Sequence, residues 1–478
     1  MSCVDDYLDR FSGCEGMAAF IYNGESYSYG WLRKQIIDYI GQLGGKGVSN
    51  KVLGLRGDYS PYVISAFIAA ASLDNVIVPI TQTCEDERAQ KHGEIANIQA
   101  SVHIDAKSDE RELAIKASDR AVTNALLLEY MELKQAGLIL FSSGTSGEPK
   151  AILMDLRKLF KQHLNKKSRM VSIPFLNIDH IGGINTFLSQ LSACGTMVII
   201  KERTAASICR AIDKHKVELL PVTPSFLNLL LISQEYKNYC MDSVKLITYG
   251  TEVMPEHTLK EANKAFGNVK FKQTYGMTET GILPSKSESE GSLWVKLGGD
   301  NCKTKVVGDT LHVKSELNMV GYLNYASPID GDGWVNTGDL VEVKGDYYKI
   351  LGRNSDIINV GGLKVFPQEV ENVILEMPEV EDVLAMGEPN YLFGKVVVAK
   401  IKLKETGKEH SIEHGKEHGI EHGIEHGKEH GYSEKDFKRK VAAHCRQKLD
   451  EYKVPVRITL VEHDLHTERY KKIRIGET

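Results

Sequence analysis

The chain has no long hydrophobic run. Its longest apolar stretch, Tyr62 to Leu73, falls far short of the ~20 residues needed to cross a bilayer, so no membrane insertion is expected. It also lacks an excess of positive charge. Lys and Arg number 59 against 64 Asp and Glu, for a net charge of −5. No overall field is available to hold nucleic acid or an anionic lipid surface. The 8 cysteines are scattered, with no Cys-x-x-Cys. That pattern excludes a disulfide framework and reads as free or buried thiols in a reducing compartment. The opening residues Met1-Ser2-Cys3-Val4-Asp5-Asp6 carry acids where a secretory leader needs a basic start, so the expected location is cytoplasmic.

What is there is ordinary globular composition. The 478 residues are 42% hydrophobic and 26% charged, which excludes wholesale disorder, collagen and coiled coil. Length allows about three domains of ~150 residues each, or one large and one small.

The alternation over residues 18–30 around Asn23-Gly24 predicts a hairpin. Leu32, Ile36, Ile37, Ile40 and Leu43 recur at helical spacing until Gly44-Gly45. Val52–Leu55 reads as a buried strand, Ser60-Pro61 as the start of a helix, and Asn75–Ile80 as the next strand. Strand, helix, strand at this spacing predicts a βαβ unit and a parallel sheet. The pattern returns at Gly137–Phe141, Thr196–Ile200 and Glu218–Pro221, the last followed by a helix from Thr223-Pro224. The expected fold class is α/β: a large multi-layer α/β body over 1–353, then a small mobile α+β C-terminal domain over 354–478. Helices are expected from Pro367 and from Ser433.

Residues 408–431 interrupt the small domain with six copies of a four-residue repeat carrying His410, His414, His418, His422, His426 and His430. Glycine recurs at every fourth position from Gly415 and opposes a helix by ~1 kcal/mol each time. With only Ile412, Ile420 and Ile424 as apolar residues, the stretch cannot build a core. It reads as a disordered surface insertion; the alternative is a Zn²⁺ or Ni²⁺ chelating tract.

Five segments carry chemistry. Ser142-Ser143-Gly144-Thr145-Ser146-Gly147-Glu148-Pro149-Lys150 follows the strand Gly137–Leu140. Its small hydroxylated and glycine residues leave backbone N–H groups free for phosphate oxygens, and Lys150 adds a point charge. It is not a Walker A loop, which requires Gly-Lys-[Ser/Thr]. Gln273-Thr274-Tyr275-Gly276-Met277-Thr278-Glu279 offers a ring for a flat base, a hydroxyl, and a hard carboxylate suited to Mg²⁺. Asn336-Thr337-Gly338-Asp339 places a carboxylate where it can grip a ribose diol. Gly352-Arg353-Asn354-Ser355-Asp356 and Gly361-Gly362-Leu363-Lys364 follow at the boundary of the small domain.

Together and in this order, these segments resemble the adenylate-forming superfamily: acyl- and aryl-CoA synthetases, nonribosomal peptide synthetase adenylation domains and firefly luciferase. The resemblance runs from about Ser26-Tyr27-Ser28-Tyr29 to the C-terminus, omitting the His repeat. It implies an AMP-binding N-terminal domain over 1–353 and a C-terminal lid over 354–478. It implies that Ser142, Ser143, Gly144, Thr145, Ser146, Gly147 and Lys150 hold the phosphates of ATP. Tyr275 and Gly276 would meet adenine, with Gly250, Thr251 and Glu252 on the other side of that pocket. Thr278 would touch the α-phosphate, Glu279 would ligate Mg²⁺, Asp339 would hold the ribose, and Arg353 would lie near ribose and phosphate. Asp179-His180-Ile181-Gly182-Gly183 resembles the acyl-pocket motif, with His180 near the carboxylate. The amino-acid-activating branch carries Phe-Asp-x-Ser, and this chain has Ile178-Asp179-His180 instead.

The family's closing motif places a catalytic lysine on a C-terminal loop. Here the segment runs Leu465-His466-Thr467-Glu468-Arg469-Tyr470-Lys471-Lys472-Ile473-Arg474, without the usual glycine. Spacing from Thr467 and to Arg474 favours Lys471, and the Lys-Ile pairing favours Lys472; both are kept, with a slight preference for Lys472. The implied function is ATP- and Mg²⁺-dependent adenylation of a carboxylic acid. Thioester formation on coenzyme A or on the phosphopantetheine of an external acyl carrier protein would follow. The alternatives are a catalytically silent nucleotide-binding homologue acting through a partner, or a metal-binding protein built on the His repeat.

Overall fold

A computed structural model describes residues 4–104, 113–118, 120–142, 148–164, 168–404, 433–466 and 472. The expectations for Ser143–Gly147, Lys471 and the 408–431 repeat lie outside these residues.

The parallel-strand spacing is realised twice. In one seven-stranded sheet, Gly137–Ser142, Val76–Ile80, Val52–Arg56 and Ala100–His103 run parallel. Lys150–Asp155 and Gly321–Tyr322 extend it antiparallel on one side, and Ala114–Ala117 on the other. In the second, Lys270–Gln273, Leu246–Tyr249, Leu219–Val222, Val171–Ser172, Thr196–Ile199 and Ala18–Tyr22 lie parallel in that order. Glu25–Ser28 closes it through the hairpin expected at Asn23-Gly24, where both residues have positive φ (51° and 85°). Two helix starts fall at the expected hydroxyls, Ser60 and Thr223, and Ser28 opens a third. Ser28, Ser60 and Thr223 each accept a hydrogen bond from a backbone N–H three residues on, opening Tyr29–Gly45, Pro61–Ser72 and Pro224–Ser233. Each such cap contributes ~1 kcal/mol.

One hydrophobic cluster joins the two sheets. It contains Leu53 and Leu138 from the first, Phe20 and Met197 from the second, and Phe67 and Phe187 from helices between them. The shared core explains why no seam between the sheets is visible in the sequence. A second cluster, including Phe175, Phe226 and Tyr249, fills the far side of the second sheet.

The stretch from 285 to 353 departs from α/β alternation. It forms a six-stranded antiparallel sheet in the order Ser285–Ser287, Val295–Leu297, Tyr347–Arg353, Val335–Lys344, Thr310–Ser315 and Cys302–Val307. The final sheet pairs Leu363–Val365, Ile358–Val360, Gly394–Leu403 and Val380–Asn390 antiparallel, with Arg457–Val461 parallel to Gly394–Leu403. Helices Pro367–Leu375 and Glu434–Lys448 cover it, and Val370, Ile374, Val383, Ile401 and Val441 form its own core. Among the described residues, no helix is long and apolar enough to cross a membrane.

The expectation of free thiols throughout fails at one pair. Cys14 and Cys194 form a disulfide across 180 residues, with Cα atoms 6.7 Å apart. Cys14 follows the helix Asp5–Ser12, Cys194 follows Ile181–Ser192, and the shared core brings the two helix ends together. A separation that large leaves no spacing signal. Among the described residues, Cys84, Cys209, Cys240, Cys302 and Cys445 form no disulfide.

Gly183 fixes how the Asp179-His180 segment enters its helix. A Cβ there would stand 1.9 Å from the carbonyl oxygen of Asn177. Gly183→Ala is expected to cost about 1–3 kcal/mol by overpacking, seen as a lower midpoint in thermal unfolding. An unchanged midpoint would show that the Asn177 turn yields instead.

Candidate active site

Ser142, Gly250 and Thr274 stand at the carboxyl ends of parallel strands, where open α/β sheets place their ligands, and Asp339 and Arg353 come from the antiparallel sheet. Ser142 ends its strand and pairs directly with Lys150, so these two residues form the base of the Gly/Ser loop. Asn324 holds the returning arm: its Oδ1 accepts from Ala151 N at 2.9 Å, and its Nδ2 donates to Pro149 O at 2.9 Å.

Lys150 and Glu279 meet through one tyrosine. The Lys150 ammonium lies 5.4 Å from the ring centroids of both Tyr322 and Tyr325. The Tyr322 hydroxyl donates to Glu279 Oε1 at 2.7 Å. Burial, and then the Glu279 charge, push the Tyr322 hydroxyl far above the usual phenol range, so it remains a donor. Glu279 is itself 8% exposed.

Asp339 is the second focus. It stands opposite Arg353 in the antiparallel ladder, with Arg353 Nε 3.5 Å from its Oδ1. The Tyr275 hydroxyl donates to Asp339 Oδ2 at 2.6 Å. Burial raises the Asp339 carboxyl above the ordinary aspartate value, although Arg353 and the Tyr275 bond pull it down. Burial works against charge on Arg353, but Asp339, Glu279 and Asp356 together outweigh it and raise its pKa. One guanidinium therefore sits in the field of both carboxylates expected to serve the nucleotide. Tyr275 is 8% exposed, and its hydrogen bond to Asp339 is a task its sequence context did not suggest.

Gly276 and Thr278 belong to the hairpin that joins Tyr275–Met277 to Gly281–Leu283, with Thr278 part-buried in its turn. A Cβ on Gly276 would come within 2.3 Å of Gly281 O, so only glycine fits. Gly250 and Thr251 follow the strand Leu246–Tyr249, next to Thr274, whose N–H donates to Tyr249 O at 2.8 Å. Thr251 has φ +73°, unusual for a β-branched residue and typical of strain held at functional turns. Glu252 faces another way. Its Oε2 accepts from Ser225 N (3.2 Å) and Ser225 Oγ (2.7 Å), and its Oε1 accepts from the backbone N–H of Lys472 at 2.8 Å.

His180 caps the helix Ile181–Ser192, and its Nδ1 accepts from Gly182 N at 3.0 Å. A neutral ring so held carries its proton on Nε2. The Lys472 side chain turns into the small domain. Its ammonium donates to Val383 O (2.6 Å) and Glu371 Oε2 (3.2 Å) and lies 3.5 Å from Asp382 Oδ1.

As a metal ligand, Glu279 is a single hard carboxylate. Among the described residues, no group of three or more His, Cys, Asp or Glu side chains is placed to hold a metal. Mg²⁺ binds through one or two carboxylates together with phosphates and water, so this donor set fits it in company with a triphosphate. Sequence reading missed Tyr322, Asn324 and Ser225. None lies in a motif, and each acts only through a contact between distant segments.

Asp339 gives a pH test. A carboxyl whose folded pKa is raised favours the folded state most below its unfolded pKa, and that contribution is lost as pH rises through the folded value. Asp339→Asn is therefore expected to unfold at or above the wild-type temperature near neutral pH, with the difference vanishing in mild acid. Melting curves at both pH values check this; an Asn variant less stable only near neutral pH would contradict it.

The AMP-binding enzyme family matches residues 10–307, and its C-terminal domain matches residues 369–472. An indoleacetate–CoA ligase of Aromatoleum aromaticum is 24% identical over 83% of this chain and 88% of its own length. A 2-succinylbenzoate–CoA ligase of Bacillus subtilis is 27% identical over 63% of this chain and 65% of its own. A medium/long-chain-fatty-acid–[acyl-carrier-protein] ligase of Mycobacterium tuberculosis is 29% identical over 56% and 57%. The chain thus spans most of the first relative but less than two-thirds of the other two. The fold matches the crystal structure of an anthranilate CoA ligase in complex with anthranoyl-AMP, at TM-score 0.79 and 18% identity over 99% of this chain and 95% of that one. With both parts of the family pattern in order and the same architecture throughout, the chain belongs to the AMP-binding enzymes of the adenylate-forming superfamily.

Proposed function

We propose that this protein is an acid–thiol ligase that activates a carboxylic acid as its acyl-adenylate and then transfers the acyl group to a thiol. The observation that carries this reading is the convergence of the two carboxylate sites on Arg353. Asp339 lies across the ladder from it, and Glu279, linked through Tyr322 to Lys150 at the base of the Gly/Ser loop, lies within its field.

In the first step a carboxylate oxygen attacks the α-phosphorus of ATP. A new P–O bond forms, the bond to the β-phosphate oxygen breaks, and pyrophosphate leaves. Two anions must meet, so the barrier falls when fixed positive charge faces the reacting oxygens. Lys150 and the Gly/Ser loop would hold the departing phosphates. Glu279 would hold Mg²⁺ together with phosphate oxygens, and the ion supplies further neutralisation of the leaving pyrophosphate. Asp339 would accept from the ribose hydroxyls, oriented by Tyr275. In the second step a thiolate attacks the acyl carbon, and AMP leaves with the oxygen bridging to phosphorus. The relatives' names include CoA and acyl-carrier-protein ligases, and both acceptors belong in the test. We read 1–353 as the adenylation body and 354–478 as the lid that closes over the water-sensitive adenylate. Of the two candidate lysines, Lys472 has its ammonium on Glu371, Asp382 and Val383 O. That favours Lys471 for the transition state and makes Lys472 an anchor.

Pyrophosphate exchange with fatty, aryl, malonyl-type and amino acids should show turnover with at least one class; silence with all of them would overturn the reading. Lys471→Ala should lower exchange by roughly 10²–10³ with stability unchanged. Lys472→Ala should instead destabilise the lid by about 3–5 kcal/mol, because it leaves two buried carboxylates without their cation. The reverse pattern would return the catalytic role to Lys472.

A further inference from the structure

Lys472 makes two kinds of contact. Its side chain is only 12% exposed and binds within its own domain, where Glu371 is fixed in turn by Ala385 N donating to Oε1 at 3.0 Å. Its backbone N–H crosses to the large body and donates to Glu252. The other oxygen of Glu252 is held at the start of the helix Pro224–Ser233 by Ser225 N and Oγ, so the carboxylate is aimed before the C-terminal segment arrives. A helix start also favours the negative charge. One helical turn further on, Asn228 Nδ2 donates to Glu381 O at 3.1 Å, a second bond across the same seam.

From this geometry we infer that Glu252 is a positioning residue: a latch that docks the C-terminal lysine segment against the body in the orientation used for adenylation. The side-chain bonds of Lys472 lie wholly within the lid and survive any rotation of it. The bonds to Glu252 and from Asn228 cannot. The latch therefore belongs to one orientation of the lid, the one in which the Lys472 N–H reaches Glu252. The role rests on the adenylation reading above, and it requires no contact between Glu252 and substrate.

The test compares the full-length wild type with Glu252→Ala, Glu252→Gln and Ser225→Ala. Glu252→Ala should lower kcat for pyrophosphate exchange roughly 10–100-fold, the value of a hydrogen bond to a charged group. KM for ATP should stay within about twofold, and thioester formation from supplied acyl-adenylate should be close to wild type. Glu252→Gln keeps one acceptor oxygen and should recover much of the loss. Ser225→Ala, which removes only the hydroxyl, should give a smaller loss of the same kind and serves if Glu252→Ala does not fold. Hydrogen exchange of the peptide containing Lys472 should be faster in Glu252→Ala. Equal exchange in the two proteins, or a parallel fall in both half-reactions, overturns the latch. If the wild type exchanges pyrophosphate with no acid, the proposed function fails, and the hydrogen-exchange comparison still decides whether Glu252 holds the segment.

Discussion

A half-exposed guanidinium and two tyrosine hydroxyls set the charge balance of the site. Arg353 faces Asp339 across a ladder and lies in the field of Glu279 and Asp356. Buried carboxylates near one another are tolerated only when a cation or strong donors offset the lost hydration. Here Arg353 serves several acids, while Tyr275 and Tyr322 each give a hydroxyl to one of them. The position of Arg353 in the chain adds a second constraint. It is the last residue of its strand, and within five residues the first strand of the small domain begins at Ile358. The residue that faces Asp339 thus also stands where the antiparallel sheet ends and the chain enters the small C-terminal sheet.

The lid meets the body through bonds of unequal permanence. Lys472 with Glu371, Asp382 and Val383 O is internal to the lid and largely dry. Breaking such a cluster would leave unpaired buried charge. The crossing bonds at Glu252 and Asn228 are two hydrogen bonds at a part-buried seam, each worth on the order of 1–3 kcal/mol. The contacts within the small domain are thus stronger than the two that join it to the body.

Much of the architecture is legible in the sequence because it is local. Ser60-Pro61 and Thr223-Pro224 name helix starts, and Asn23-Gly24 names a turn, since a cap or a positive φ depends on neighbours a few residues away. The antiparallel sheet over 285–353 was not visible. Two of its strands have only three residues, and in longer ones such as Cys302–Val307 and Tyr347–Arg353 buried and exposed positions do not alternate, so no two-residue period emerges. The same holds for the site. The phosphate loop, Glu279 and Asp339 stand in motifs, whereas Tyr322, Ser225 and Asn324 matter only for what they touch across 27 to 175 residues. The Cys14–Cys194 bond, 180 residues apart, is hidden for the same reason.

The setting of Lys150 bears on how an acid-rich site admits a polyanion. Had its ammonium been bound to Glu279, a triphosphate would have had to displace a charge pair in a poorly hydrated place. Instead, its described contacts are the faces of Tyr322 and Tyr325, and Glu279 receives a neutral hydroxyl. A cation over an aromatic face gains only about 0.5–2 kcal/mol and keeps its full charge. On the proposed function that charge is available to phosphate oxygens, while Tyr322 orients the carboxylate. The tyrosine thereby keeps a positive and a negative side chain close without letting them neutralise each other.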